Sequence, residues 1–152
     1  MAKATTKVKL PPVGEVGLIV RDIDEAISHY AACGLGPFRT TELEMKGFTY
    51  KGKKGDCRMK LAFHDGPPIS IELVQVLEGD ATPFSEFFDK NGEGVQHLGF
   101  FTNNLKGLLA EFSKEGIEPA LSGGVPNVAD FVFLFADPAK AEGLMFELIQ
   151  IY

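Results

Sequence analysis

The sequence predicts an α+β protein: two paired βαβββ modules whose sheets curl around a central cleft. Three observations carry this expectation. A pattern of strand, helix cap, apolar helix face and terminal glycine begins at Glu15 and recurs 82 positions later, beginning at His97. The halves also end alike, with Ile71-Glu72-Leu73-Val74-Gln75 in the first and Phe146-Glu147-Leu148-Ile149-Gln150 in the second. Finally, a module of about 60 residues has only a marginal core of its own, which favours pairing the two sheets.

Residues 1–12 (MAKATTKVKLPP) read as a flexible tail, basic but without the apolar segment of a secretory signal. The first module, 13–78, opens with a strand rich in β-branched residues, Val13–Val20. Asp22 is placed to cap the helix that follows, and Asp24 and Glu25 lie in its first turn, where the helix dipole favours negative charge. Ile23, Ala26, Ile27, Tyr30 and Ala31 form its apolar face and Gly34 stops it. After a turn at Gly36-Pro37 come four strand-like pieces, Phe38–Leu43, Phe48–Lys51, Arg58–His64 and Ile69–Leu77, the last two separated by Asp65-Gly66-Pro67-Pro68.

Residues 79–93 read as a linker with a short helix, Phe84–Lys90, capped by Thr82 or Pro83. The second module, 94–152, repeats the scheme. A strand led by His97 turns at Asn103-Asn104 into a helix with Leu105, Leu108, Leu109 and Phe112 on one face, stopped at Gly116. Ile117–Ala120, a glycine loop at Ser122-Gly123-Gly124, Phe131–Phe135, a turn at Asp137-Pro138 and Leu144–Ile151 complete it. In the overlay Gly17 falls on Gly99, Asp22 on Asn104, Tyr30 on Phe112 and Gly34 on Gly116.

The bulk composition narrows the function classes. A net charge of −6 argues against a nucleic-acid surface, and no run approaches the roughly 18 apolar residues of a membrane helix. Lys51, Lys53 and Lys54 form the one basic cluster, either a solvated loop or a contact for substrate phosphate. Cys33 and Cys57 match neither a metal-binding spacing nor a disulfide framework, so a reducing cytoplasm is expected, with Cys33 as a small buried hydrophobe. His29 reads as a surface residue on the first helix, and His64 ends a strand either at the surface or near the cleft mouth.

The repeat places Glu15, Glu72, His97 and Glu147 at equivalent spots in otherwise apolar strands. Each glutamate alone is compatible with a water-facing strand position. If the sheets curl together the four converge, and like charges in a cleft are tolerable only with a cation or bound protons. Three carboxylates and one imidazole suit a divalent ion such as Co, Mn, Ni, Zn or Fe(II), with water or substrate oxygens completing the shell. Such an ion polarises a substrate carbonyl and eases removal of the neighbouring proton by a nearby carboxylate.

At these residues the sequence resembles the vicinal oxygen chelate superfamily, which includes glyoxalase I, methylmalonyl-CoA epimerases, extradiol dioxygenases and bleomycin-resistance proteins. The segments VGLIVRDIDEAISHY, HLGFFTNNLKGLLAEF and the two EL endings carry the likeness. The resemblance implies a glyoxalase-like fold with metal ligands at Glu15, Glu72, His97 and Glu147. Among its members the chain looks most like the epimerases, through GEGVQHLGF, MKLAFHDGPPISIELVQ and FADPAKAEGLMFELIQ. That likeness implies a metal-dependent isomerase or epimerase that abstracts a proton α to a carbonyl. Glu147 would be the catalytic carboxylate and Asp56 would stand near the family's second base; a turn residue after Gly55 is the other reading of Asp56. It also implies a small-molecule substrate, such as an acyl-CoA, and a homodimer. Glu15 and Asp137 depart from the histidines usual in the epimerases at these positions. A glyoxalase I-type lyase and a non-catalytic, antibiotic-sequestering binder are the two other readings the superfamily offers.

Overall fold

The computed structural model describes residues 5–140 and 142–152, so the first four residues of the expected tail lie outside the described residues. The elements run β1 (Glu15–Ile19), α1 (Ile23–Ala32), β2 (Arg39–Tyr50), β3 (Lys53–His64), β4 (Ser70–Gly79), α2 (Pro83–Asn91), β5 (Gly94–Phe101), α3 (Leu105–Lys114), β6 (Leu121–Val125), β7 (Ala129–Phe135) and β8 (Met145–Ile151). The expected α+β repeat is present, and its two sheets are one. The order β2-β3-β4-β1-β5-β8-β7-β6 reads the same from either end when the halves are exchanged. β1 and β5 pair antiparallel at the seam, and each pairs parallel with the last strand of its own half. The outermost strands β2 and β6 approach one another, so the sheet curls almost closed.

Strand alternation divides the apolar residues between the two faces of this sheet. On the convex face α1 covers Ala62 and Leu73 with Ile23, and α3 covers Phe100 and Leu148 with Leu105 and Phe112. On the concave face Ile19, Met59, Val74, Leu121, Phe133 and Met145 form the inner cluster, closed by Phe84 and Phe87 of α2. Val8 and Leu10 pack against the α3 layer, so this part of the expected flexible tail is held down.

The helix starts follow the sequence signals. Asp22 accepts the Glu25 N–H at 3.0 Å, Asn104 accepts that of Gly107 at 3.0 Å, and Thr82 and Ser85 form a capping box at α2. Each repeat adds a second cap: Gln75 Oε1 accepts the Ile23 N–H and Gln150 Oε1 that of Leu105, both at 2.9 Å. Among the described residues no helix is long and apolar enough to cross a membrane.

Three expectations are corrected. Phe38–Leu43 and Phe48–Lys51 belong to one strand, β2, interrupted by a bulge between Met45 and Phe48. Gly47 sits in that bulge at φ +64, and the Asp56 carboxylate accepts its N–H at 2.7 Å. Ser122-Gly123-Gly124 is strand β6 rather than a loop, while 117–120 carry no strand. Gly123 is there for space: a Cβ would lie 2.5 Å from the Phe131 ring on the paired strand. Cys33 is exposed at the end of α1 rather than buried, because it follows the last turn instead of joining the apolar face; Cys57 is the buried thiol.

Candidate metal centre

Four side chains on four strands converge on the concave face. Their positions follow from the register at the seam. One row across the sheet runs Ser70–Glu15–Gly99–Glu147, and the next runs Glu72–Gly17–His97–Met145. The four ionisable groups are thus interleaved with two glycines. A Cβ on Gly17 would run into the His97 imidazole, and one on Gly99 would lie 2.7 Å from Glu15 Cβ. Each half supplies the glycine that makes room for the other half's side chain.

Glu15, Glu72, His97 and Glu147 are all buried, and one ligand atom from each lies within 4.8 Å of every other. His97 Nε2 stands 3.0 Å from Glu72 Oε2 and 3.3 Å from Glu147 Oε2. Ser70 Oγ donates to Glu15 Oε2 at 3.2 Å. The opposite edge of the imidazole, Nδ1, lies 2.6 Å from Gln96 Oε1. An amide oxygen only accepts, so it holds a proton on Nδ1 and leaves Nε2 facing the carboxylates. There Nε2 is a donor when the ring is charged and a lone pair once a cation replaces that proton, the arrangement of a metal-ligating histidine and its outer partner.

Gln96 reaches its neighbour because of a second bulge. Gly17 pairs with His97 and Leu18 with Val95, so Gln96 has no partner on β1. The side chains of Gln96 and His97 are both wholly buried, where strict alternation would place one on each face.

Protons alone would hold this cluster in an unusual state. Burial, followed by the Glu72 and Glu147 charges, pushes the Glu15 carboxyl up to about 9. Burial likewise raises Glu72, against the opposing hydrogen bond from His97. Burial disfavours the His97 imidazolium, but its hydrogen bonds and charge pairing with Glu147 and Glu72 outweigh this and raise it to about 10. These are groups arranged for positive charge in their midst. Glu147 Oε2 is buried and has only the His97 Nε2 contact at 3.3 Å, outside good hydrogen-bond geometry, so a cation would satisfy it better. With three carboxylates and one imidazole whose Nε2 faces them, the residues fit a divalent ion of intermediate hardness.

Glu15, Glu72 and Glu147, with His97 wholly buried beside them, lie in the wall of a cleft of about 470 Å³. Away from the cluster its inner lining is mostly apolar, with Leu43, Met45, Met59, Leu61, Phe131 and Phe133. Its other charged lining residues are engaged at the surface: Arg39 with Asp65 at 3.1 Å and Glu42 with Arg58 at 3.0 Å.

The structure does not bring Asp56 to the other expected site residues. Its carboxylate is exposed, lies outside the cleft lining and supports the β2 bulge. Alternation along β3 turns Cys57, Met59 and Leu61 into the concave cluster and leaves Asp56 on the other face. His64 also lies outside the lining, its Nδ1 bonded to the Pro37 carbonyl, and His29 is exposed on α1. Of the basic cluster, Lys51 is bound to Glu86 at 2.7 Å, and none of the three lysines lines the cleft. Gln96 and the glycine pair were not foreseen as site residues. The Gly17/Gly99 coincidence in the overlay was the available signal.

A family model described as the glyoxalase/bleomycin resistance protein/dioxygenase superfamily matches residues 15–135. The chain is 23% identical over 141 residues to the uncharacterized protein YqjC of Bacillus subtilis (strain 168), covering 89% of each. Among solved structures it is similar to a Streptomyces coelicolor methylmalonyl-CoA epimerase variant in complex with 2-nitronate-propionyl-CoA (TM-score 0.69, 21% identity, 94% of this chain and 99% of that one). It is also similar to the Mycobacterium tuberculosis methylmalonyl-CoA epimerase (0.64, 22%, 99% and 93%). A mutant 4-hydroxymandelate synthase from Streptomyces coelicolor matches over 93% of this chain and 48% of its own (0.63, 16%). At these identities the structural likeness establishes the shared fold.

Proposed function

Since the chain belongs to the glyoxalase/bleomycin resistance protein/dioxygenase superfamily, we propose that it is a metal-dependent isomerase or epimerase acting on a proton α to a carbonyl of a small-molecule substrate. The observation that carries this reading is the buried convergence of Glu15, Glu72, His97 and Glu147, one ligand atom from each lying within 4.8 Å of every other. A divalent ion held by these four would supply the positive charge that stabilises an enolate oxygen.

The chain's own residues do the rest. Gln96 keeps the proton on His97 Nδ1 and so presents Nε2. Ser70 orients Glu15. The apolar walls reduce water around the reacting carbon and strengthen charge interactions there. The Glu147 carboxylate, through an oxygen not held by the ion, would take the α-proton; the C–H electron pair becomes the C=C bond and the carbonyl π pair moves onto oxygen. Return of the proton to carbon reverses the electron flow.

Outside the cluster the charged lining groups are engaged in exposed ion pairs, so carboxylates of the cluster would both remove and return the proton. Asp56, the second base expected of an epimerase, lies outside this cleft, which favours, as a second reading, a glyoxalase I-type lyase, whose proton moves between adjacent carbons. An epimerisation like that of the methylmalonyl-CoA epimerases would return the proton on the opposite face of the same carbon.

The test is metal analysis of the purified protein followed by exchange in deuterated water, using a panel of 2-substituted acyl thioesters and glutathione hemithioacetals. Bound divalent metal and deuterium at the α-carbon are expected. A protein with neither is a small-molecule binder, and the enzyme reading falls.

A further inference from the structure

The two sides of the cleft mouth differ. The β2–β3 hairpin has strands of 12 residues each, whereas β6 and β7 have 5 and 7. The shorter hairpin leaves large apolar side chains uncovered on the second-half side. Phe101 is 38% exposed, Val125 39%, Val128 53% and Ile151 63%, and all four line the same cleft as the metal cluster. They come from β5, β6, the β6–β7 turn and β8 and form one apolar rim. An exposed apolar surface continuous with a polar site marks where a ligand or partner is covered.

The charges near the rim are already matched. Tyr152 Oη donates to Asp130 at 2.6 Å, and Arg39 and Asp65 neutralise each other. The basic side chains that a polyphosphate handle would want are engaged or elsewhere: Arg39 lines the cleft but is held by Asp65, Lys51 is held by Glu86, and Lys53 and Lys54 do not line the cleft. We propose that the cleft takes a substrate with an oxygen-bearing head at the buried cluster and an uncharged alkyl or aryl tail against Phe101, Val125, Val128 and Ile151. This rests on the metal reading above and names the class of substrate it would serve.

The test uses metal-loaded protein and hydroxamic acids, which share one chelating head and differ only in tail. Each buried methylene is expected to lower Kd by about fourfold. Octanohydroxamate should therefore bind at least roughly tenfold more tightly than acetohydroxamate, and benzohydroxamate should also gain. The Val128→Asp/Ile151→Asp variant should bring the octano/aceto affinity ratio toward one. Val95→Asp, at an exposed apolar position outside the cleft lining, should leave that ratio as in the parent. A ratio near one in the parent, or an unchanged ratio in the double variant, overturns the tail site. A double variant that sediments as a smaller species with its ratio unchanged assigns the rim to a second copy of the chain and equally overturns it. If acetohydroxamate fails to bind the protein in the presence of metal, the metal reading itself falls, which is a separate result.

Discussion

In the proposed reaction Glu147 would have two tasks, completing the ligand set and moving a proton, and its substitution should separate them from simple packing. Glu147→Gln is expected to slow α-proton exchange by about 10²–10⁴-fold, measured by mass spectrometry in deuterated water. Gln96 acts one bond further out. Gln96→Met keeps the volume but removes the acceptor for His97 Nδ1, and should weaken metal binding about 10–100-fold in a calorimetric titration; Gln96→Glu should restore it. Equal affinities in all three proteins would reduce Gln96 to filler. Gly17→Ala sets a methyl group against the His97 ring and should cost roughly 1–3 kcal/mol in denaturant unfolding as well as metal affinity. The four ionisable residues were legible in the sequence because the repeat lines them up. Gln96 was not: its counterpart at the repeat offset is Gly14, and the bulge that turns it inward leaves no periodic trace.

At the scale of elements, the features that departed from expectation were those whose glycines had two readings. Ser122-Gly123-Gly124 has the composition of a loop, but the bulk of Phe131 across the ladder makes glycine the residue that lets β6 pair. Lys46-Gly47 looks like a break between two strands and is a bulge inside one, held by a side chain nine residues away. That contact gives Asp56 a structural task. Asp56→Ala should lower stability by about 0.5–1.5 kcal/mol in urea while α-proton exchange persists; a loss of exchange matching that of Glu147→Gln would put Asp56 back among the bases. α2 brings Phe84 and Phe87 onto the inner cluster and depends on its capping box. Thr82→Ala should therefore cost about 0.5–2 kcal/mol, visible as a lower melting temperature. The helices were the most legible elements, since caps, apolar faces and terminal glycines all agreed.

For the whole molecule, the cluster ties stability to pH. The folded-state pKa of Glu15 lies near 9, against an ordinary 4.5, and that of His97 near 10, against 6.5. Both are raised, so their contributions are fully present below the ordinary values and are lost as pH rises through the folded ones. Chelator-treated protein should melt at progressively lower temperature from about pH 7 to 10 by differential scanning calorimetry. Added Zn or Mn displaces those protons, so the rise in melting temperature it produces should grow across the same range. A flat profile without metal would mean that the four groups do not share protons as their geometry implies. The glycines between them have one further consequence. Neither half contains all four groups of the cluster, and each contributes the gap into which the other's side chain fits. Cut within residues 79–93, the chain would have to rebuild its ion site by a bimolecular encounter, with occupancy rising with fragment concentration. In the intact protein the covalent connection supplies an effective concentration in the millimolar range or above, so ion binding is independent of protein dilution.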